Sequence, residues 1–264
     1  KEWSSGLSVT FTGQRRRFTP LSNLPVKEHY PSESGGEPLN TFEAGAKVRF
    51  AYLEKFLDGN FYRMSLGSDY PIVEAHYMKG FAGILNSSYN YHRIGGSISD
   101  YKKLSPYGSI YYNLYAGKVY GTLPYTLLEI PPGNNIWYYN KYAFNMMTRY
   151  EYLADWYSGI NVEHNIGNGV FRFIPLTRML KFRQFWGAKI MWSGLSQANK
   201  DYNTDNNGHS FKTLDGKPYL ELGTGVDNIF KIFRLDFIWK VLPRPLPDKT
   251  FERFGIFGSF RVVF

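Results

Sequence analysis

Residue types able to support catalysis occur in this chain, but their spacing does not assemble a recognisable active site. Glu74 and His76 stand at alternate positions of one extended stretch, so a carboxylate and an imidazole share one face of a predicted strand. Such a pair can exchange protons with a substrate, and it can equally belong to the charged lining of a water-filled interior. We interpret both as lining residues.

Two polar stretches carry groups that bind ions in other proteins. Asp201, Asp205 and Asp215 offer oxygen ligands for Ca²⁺, but they lack the regular alternation and the closing glutamate of a calcium-binding loop. We therefore interpret residues 194–217 as a solvated surface loop. The arginine triplet at 15–17 could bind a phosphate, and a solvated run of charge is the interpretation we prefer.

The sequence contains no nucleophile with a base at a catalytic spacing, and its five histidines are scattered. Cysteine is absent, which excludes disulfides and thiolate metal sites. The sequence therefore predicts a non-enzymatic protein with no catalytic residues, cofactor or metal. Its formal net charge of +9 is spread along the chain, which favours contact with anionic lipid headgroups over binding of nucleic acid.

The composition favours a membrane β-barrel over a soluble domain. Hydrophobic residues make up 43% of the chain, yet no run of eighteen apolar residues exists, which excludes a transmembrane helix. The 22 tyrosines, 21 phenylalanines and 26 glycines are typical of outer-membrane barrels, where tyrosines lie at the membrane interfaces. A soluble β-sandwich is the alternative that composition leaves open.

The elements that would position these residues are clearest in the last forty-seven residues, 218–264. They predict strands at 219–226, 231–241 and 254–264, in which one set of alternate positions is apolar. In the middle strand, Arg234 and Asp236 lie opposite that apolar side. A strand of about ten residues with a continuous apolar face suits a tilted crossing of a bilayer. In the last strand, alternate apolar residues form a carboxyl-terminal strand signal: Phe260, Val262 and Phe264.

Seven further strands are predicted by the same alternation, at residues 7–13, 41–53, 70–79, 85–99, 107–119, 156–164 and 185–193. The pair Gly95 and Gly96 predicts a bulge or bend. Residues 14–40 and 54–69 are interpreted as connections. The ten strands predict an antiparallel transmembrane β-barrel over residues 1–264, with the carboxyl terminus and the short 227–230 turn on the periplasmic side.

One long connection, residues 120–155, interrupts this rhythm. Its prolines and its aromatic segment 137–152 make it too apolar for disorder, and a connection of this length is usually functional. Residues 144–152 alternate and could form another strand. We interpret the whole stretch as a loop folded into the barrel lumen, because an extra strand would break the alternation of the up-and-down strands.

Several separated motifs resemble one known family. The chain is similar, over about residues 41–264, to the carboxyl-terminal barrel of Bacteroidota outer-membrane proteins of unknown function that carry a carboxypeptidase-regulatory-like domain. That family is in turn similar to the BamA/TamA superfamily of sixteen-stranded insertases and transporters. The resemblance rests on LPYTLLEIP at 123–131, FNMM at 144–147, DWY at 155–157, IPL at 174–176, PYLE at 218–221, GVDNIF at 225–230 and RLD at 234–236.

The resemblance implies that these ten strands are the last ten of sixteen, with earlier strands and a periplasmic domain outside this sequence. It implies a loop that docks on the lumen wall: Asp155 and Tyr157 stand where the family's docking motif ends, its arginine–glycine pair is absent, and Arg149 is the substitute cation. Glu221 and Asp236 are its expected acidic partners.

The implied function is non-enzymatic help in the insertion, assembly or export of outer-membrane proteins or lipids, in the bacterial outer membrane. The expected partners are outer-membrane lipid, lipopolysaccharide, and other outer-membrane or periplasmic proteins. The mechanism would use a weak strand seam at residues 254–264. A passive pore or uptake subunit, and a structural subunit of a larger complex, are the alternatives.

Overall fold

The structure, a computed structural model, describes residues 3, 5–19, 39–59, 62–175, 179–204, 208 and 210–260. Ten strands form its main sheet: β1 Leu7–Phe18, β2 Leu39–Ala51, β5 Ile72–Gly80, β6 Tyr91–Lys103, β7 Ser109–Tyr120, β8 Trp156–Gly167, β9 Arg183–Gly194, β10 Pro218–Ile229, β11 Phe233–Leu242 and β12 Phe254–Phe260. A separate hairpin comprises β3 Lys55–Asp58 and β4 Arg63–Gly67.

Each strand of the main sheet pairs antiparallel with its neighbours in chain order, and the hairpin is set aside between β2 and β5. Among the described residues, β1 and β12 form the two edges of this sheet. The prediction of an all-β fold with ten antiparallel strands is confirmed. Sequential pairing follows from connections that join adjacent strand ends.

The two faces of the main sheet differ in burial, because successive side chains of a strand point to opposite sides. Arg234 and Asp236 of β11 are buried on one side, which we call the covered face. Strand register continues this face to Glu221 of β10 and Lys189 of β9. Trp239 lies on the opposite side, which we call the open face.

The open face presents apolar side chains to its surroundings from nearly every strand. These side chains are exposed although they are large and apolar: Val48, Phe50, Val73, Tyr77, Ile94, Ile98, Leu114, Trp186, Leu222, Trp239, Ile256 and Phe260. An exposed apolar surface that extends across a sheet marks a face that meets lipid or another protein. Phe260 of the expected carboxyl-terminal signal belongs to this face, and Val262 and Phe264 lie outside the described residues.

The expected loop at 14–40 is wrong at both ends of that stretch. Residues 14–18 continue β1, residues 39 and 40 begin β2, and residues 20–38 lie outside the described part of the chain. The reason is a side-chain contact that the sequence pattern does not show. Arg16 forms an ion pair of 2.7 Å with the buried carboxylate of Glu43 on β2, so the middle arginine of the triplet is paired across the two strands.

Residues 54–69 connect β2 to β5 as predicted, and they also contain the β3–β4 hairpin, in which the Arg63 guanidinium lies 3.6 Å from the centre of the Phe56 ring. One other expectation fails in the same half of the chain. The bulge at Gly95 and Gly96 is absent from the register of β6 with both neighbours. These glycines serve close packing instead, because a Cβ at Gly95 would lie 2.5 Å from the His76 ring.

Helical turns occur only in connections of the described chain. They are α1 Gln197–Tyr202, α2 Thr250–Arg253 and 3-10 turns at Ile84–Asn86, Tyr125–Leu127 and Gly169–Phe173. No helix in the described residues has the length and apolar character needed to cross a bilayer. The expectation of a solvated loop at 194–217 is wrong where α1 lies, because Asn199 of that helix and Asn203, which follows its last residue, are buried.

Candidate functional site

Residues 121–155, which we call the covering segment, pack on the covered face. All of these residues are described, and they form no strand beyond isolated bridges. Two apolar clusters hold the segment. The first joins it to β2, β6 and β7 through Leu39, Tyr91, Val119, Leu123, Leu127, Leu128, Leu153 and Leu195. The second joins it to β9 and β10 through Phe144, Met147, Tyr152, Met191, Leu214 and Tyr219.

Two charged side chains on neighbouring strands hold the turn formed by residues 140–146. Lys189 and Glu221 are register partners on β9 and β10. The Lys189 Nζ donates hydrogen bonds to the carbonyl oxygens of Asn140, at 3.0 Å, and Ala143, at 2.6 Å. The Glu221 carboxylate accepts the backbone amides of Asn145, at 2.9 Å, and Met146, at 2.8 Å.

The pair therefore places a cation on the carbonyl groups of the turn and an anion on its amide groups. Glu221 is only 2% exposed, so the charge of each partner is compensated within the protein. Hydrogen bonds that involve a charged group are about twice as strong as neutral ones. The Lys189–Glu221 pair is the central contact between the sheet and the covering segment.

The turn is also organised from within by asparagines. The Asn145 side-chain oxygen accepts the Asn134 side-chain amide and the Asn140 backbone amide, both at 2.9 Å. Asn134 donates its second side-chain hydrogen to the carbonyl of Tyr138, also at 2.9 Å. Because these bonds satisfy buried polar groups of an irregular chain, the turn keeps one conformation.

A second charged group lies beside the pair, where Arg234 binds two carboxylates. Its guanidinium lies 2.8 Å from Glu163 on β8 and 2.7 Å from Asp236 on its own strand. The same guanidinium sits 3.7 Å from the centre of the Phe185 ring and 4.7 Å from that of Tyr139. Arg234 therefore links β8, β9 and β11 to Tyr139 of the covering segment.

A small cavity of about 40 Å³ is lined by Lys189, Glu221, Glu163, Arg234 and Asp236. This volume accommodates only a few water molecules. Across the described residues, His, Asp and Glu side chains do not gather in threes as a metal site requires. The geometry of this cluster suits the docking of a polypeptide segment.

The far end of the segment carries a further ion pair. Glu151 lies 3.2 Å from the Lys212 ammonium and 3.4 Å from that of Lys240 on β11. Burial raises the pKa of the Glu151 carboxyl, but the Thr148 amide and the two lysines outweigh it and leave this pKa below its usual range. Glu151 is therefore ionised at neutral pH and attracts both lysines.

The roots of the covering segment are held by two buried asparagines, Asn199 in α1 and Asn203 at its C-cap. Asn199 accepts the Leu123 amide at 2.9 Å, and Asn203 accepts the Tyr125 amide at 2.7 Å. Asn199 also donates to the carboxylate of Asp155, at 2.9 Å, which joins the start of the segment to its end. The two asparagines are four residues apart, so they share one side of the helix.

The expected docking residues do not gather at one site. Asp155 is buried beside α1, and it also accepts the Ser196 amide. Tyr157 lies on the covered face of β8 with its ring 6.2 Å from Tyr115. Glu221 is in the turn-binding pair and Asp236 binds Arg234.

The structure does not bring Arg149 to the acids expected as its partners. Arg149 is exposed, and its backbone amide donates to Asn135. Glu221 binds backbone amides, and Asp236 binds the guanidinium of its own strand neighbour Arg234. The prediction considered only cationic side chains as partners of the two acids. In the structure, side chains of the main sheet bind backbone groups of the covering segment.

Sequence reasoning did not assign roles to Lys189, Asn199 or Asn203. The i, i+4 spacing of the two asparagines was the available signal, because amide side chains on one side of a helix can bind an adjacent backbone. Lys189 had no local signal beyond its inward position on a strand.

Comparison with protein families gives one result that covers most of the chain. Residues 8–204 match the model described as family of unknown function (DUF5686), C-terminal domain. A search of curated proteins found no match. The family match covers well over half of the 264 residues and includes both the covering segment and α1. The chain therefore belongs to the DUF5686 family, within its C-terminal domain.

Proposed function

We propose that this chain forms the wall of a BamA-like bacterial outer-membrane β-barrel, which helps to insert, assemble or export outer-membrane proteins or lipids without catalysing a reaction. The observation that carries the membrane assignment is the open face, which exposes large apolar side chains across the sheet. In water such a surface would be covered or would aggregate, whereas in a bilayer it meets lipid chains.

The distribution of charge supports the same assignment. On the open face, Lys79 and Lys118 lie near one end of their strands, and Asp100 and Lys102 lie near the other end. Residues such as Leu114 occupy the middle. Lipid and lipopolysaccharide headgroups would meet the charged ends, and lipid chains would meet the middle.

The strand lengths suit a tilted crossing of the membrane. Nine of the ten strands of the main sheet have between nine and thirteen described residues, and β12 has seven. We propose that further strands complete the barrel between β12 and β1, as the similarity to sixteen-stranded insertases implies. The covered face then lines a lumen, and the covering segment fills part of it.

Two features favour an assembly role. Among the described residues β12 lies at an edge of the main sheet, and exposed backbone groups on a sheet edge can pair with an incoming strand. The bonds from Lys189 and Glu221 to the turn and the asparagine contacts fix the covering segment at a defined place on the main sheet. A client strand cross-linked to β12 in cells would support this role, and unchanged outer-membrane composition after gene deletion would contradict it.

A passive pore is the second candidate, because the covered face also contains larger cavities. Cavities of about 250 and 260 Å³ lie on the covered face beside the covering segment. Single-channel recording separates the two functions. An assembly protein whose lumen is filled should conduct little until the covering segment is deleted, whereas a passive pore should conduct with the segment present.

The membrane assignment is tested by the depth of individual tryptophans. Trp186 and Trp239 lie on the open face and are 43% and 42% exposed. Variants that retain one of these tryptophans should lose fluorescence in vesicles of lipids brominated on their acyl chains. A control variant with its single tryptophan at Tyr157, on the covered face, should lose much less. Equal quenching at the three positions would contradict the assignment.

A further inference from the structure

The edge of β12 already has an occupant at one residue. Gly258 donates its amide to the carbonyl of Trp137, at 3.1 Å, and accepts the amide of Tyr139, at 3.0 Å. These two bonds form a parallel bridge between Tyr138 and Gly258. The covering segment therefore places one short extended stretch beside β12, on the side away from β11.

This contact is confined to a single bridge. Gly258 lies opposite Leu235 and Ile256 lies opposite Phe237, so both belong to the alternate residues whose backbone groups point away from β11. Among the described residues, no backbone partner pairs with Ile256 on that edge. The edge is therefore occupied at Gly258 and open at the next equivalent position.

Much of the occupant is exposed. Ile136, Trp137 and Tyr138 are three consecutive residues with exposed side chains, and Trp137 is 71% exposed. Two contacts besides the bridge hold the stretch, because Asn134 donates to the Tyr138 carbonyl and the Arg234 guanidinium lies 4.7 Å from the centre of the Tyr139 ring. A strand that forms several backbone bonds along the edge can replace the two bonds at Gly258.

We propose that the edge of β12 is a pairing site for an extended strand of another polypeptide, and that residues 137–139 are its resident occupant, which the incoming strand displaces. This inference rests on the proposed function and adds the contact that controls access to the seam. The incoming strand and the resident stretch require the same amide and carbonyl of Gly258, so they exclude each other. Displacement breaks the bonds at Gly258 and the contacts of residues 138 and 139 with Asn134 and Arg234, while the roots of the segment stay bound elsewhere.

The test uses a disulfide that fixes the occupant. The sequence has no cysteine, so the pair Tyr138→Cys and Gly258→Cys introduces one disulfide between bridge partners. Bridge partners in a sheet have Cα separations within the range that a disulfide spans. The full-length protein is reconstituted in vesicles with a photo-cross-linking residue at Ile256, which lies next to the fixed position on the same edge.

The probe is a biotinylated synthetic decapeptide that alternates valine and threonine. The reduced protein should form peptide adducts at Ile256, and the oxidised protein should form at least about tenfold fewer, because a tethered competitor then holds the edge permanently. A peptide with N-methylated alternate amides should give almost none. The single variant Tyr138→Cys, treated with oxidant, should behave as the reduced protein does.

Three outcomes would overturn the inference: equal adduct yields in the oxidised and reduced protein, failure of the disulfide to form, or adducts with the mass of a second copy of this chain in place of the peptide. Membrane integration is measured in the same samples by alkaline extraction. If the protein resists alkaline extraction but its adduct yield does not change with the disulfide, this inference is refuted and the membrane assignment stands. If the adduct yield falls when the disulfide forms but alkali extracts the protein from the vesicles, the membrane assignment is refuted and the pairing site stands.

Discussion

The open and covered faces of the main sheet arise from the same strands but treat charge in opposite ways. On the covered face, cations meet carboxylates across strands or across the segment, as in the pairs Arg16–Glu43 and Lys47–Glu74. The middle of the open face has apolar side chains in the equivalent rows. The comparison teaches that strand alternation sorts residues between two environments, and that the charged pairs between described strands lie on the covered face.

The largest expected effect comes from placing a charge on the open face. Leu114→Arg should reduce membrane integration, because a cation near the middle of the bilayer costs about 2–4 kcal/mol. The adjacent substitution Asn113→Arg is the matched control, since Asn113 borders a cavity of about 250 Å³ on the covered face. The fraction resistant to alkaline extraction should fall for Leu114→Arg only. Equal loss in both variants would remove the distinction between the faces.

Removal of the central acid should release the turn of the covering segment. Glu221→Ala leaves the backbone amides of Asn145 and Met146 without their acceptor, and an unsatisfied buried group costs about 1–3 kcal/mol. Proteolysis within residues 134–150 should therefore become faster, while the strands remain protected. Glu221→Gln retains an acceptor oxygen and should show a smaller change. Unaltered cleavage in Glu221→Ala would show that the pair does not hold the segment.

Loss of a root contact should have a smaller and local effect. Asn199→Ala removes the acceptor of the Leu123 amide and the donor to Asp155, which we expect to cost about 1–2 kcal/mol. Hydrogen exchange at residues 121–125 should accelerate, while exchange at residues 140–146 changes little. Gln197→Ala, on the exposed side of α1, should leave both regions as they are. Faster exchange throughout the segment would mean that root and turn are one cooperative unit.

The smallest effect concerns the β3–β4 hairpin, outside the main sheet. The hydrogen bond from Arg49 lowers the pKa of the Glu54 carboxyl, and the Ser65 hydroxyl adds to this effect. A carboxyl whose folded pKa is lowered contributes stability above its ordinary pKa and loses it as the pH falls through the folded value. The gain should be below about 1 kcal/mol, because the Arg49 side chain is 27% exposed and solvent weakens such an ion pair.

Hydrogen exchange of residues 63–67 between pH 7 and pH 3, corrected for intrinsic rates, measures this contribution. Protection should decline towards pH 3 in the parent protein and stay flat in Glu54→Gln. A parallel decline in both proteins would assign the pH dependence to another group.

The strand pattern could be predicted from sequence because it depends on local alternation. Arg234 and Asp236 were placed opposite the apolar face of β11, and their burial there agrees. The contacts of the covering segment could not be predicted in this way, since they join residues about 75 positions apart, as in the bonds from Asn145 and Met146 to Glu221. Almost every residue has a backbone amide, so the sequence does not show which amides bind Glu221. A search for a cationic side chain therefore selected Arg149 instead of the amides of the turn.

The same limit explains the error at α1. Asparagine, aspartate and glycine are typical of solvated loops, and residues 194–217 are rich in them. Asn199 and Asn203 are buried because their side-chain amides bind the backbone of the covering segment. They supply the hydrogen bonds that a neighbouring strand would otherwise provide. Composition reports the frequency of such residues, whereas their role depends on which backbone reaches them.

Anchorage of both roots has a consequence for competition at the sheet edge. Asn199 and Asp155 hold residues 123 and 155 together, so the chain between them is a closed loop. Its tip, residues 137–139, stays close to the sheet edge when it detaches and can rebind quickly. A tip tethered in this way acts as a ligand present at an effective concentration on the order of millimolar. A free strand in dilute solution would lose to it. A strand delivered at the membrane surface, or one that pairs along several residues at once, would win, so the tether sets a threshold that only such strands pass.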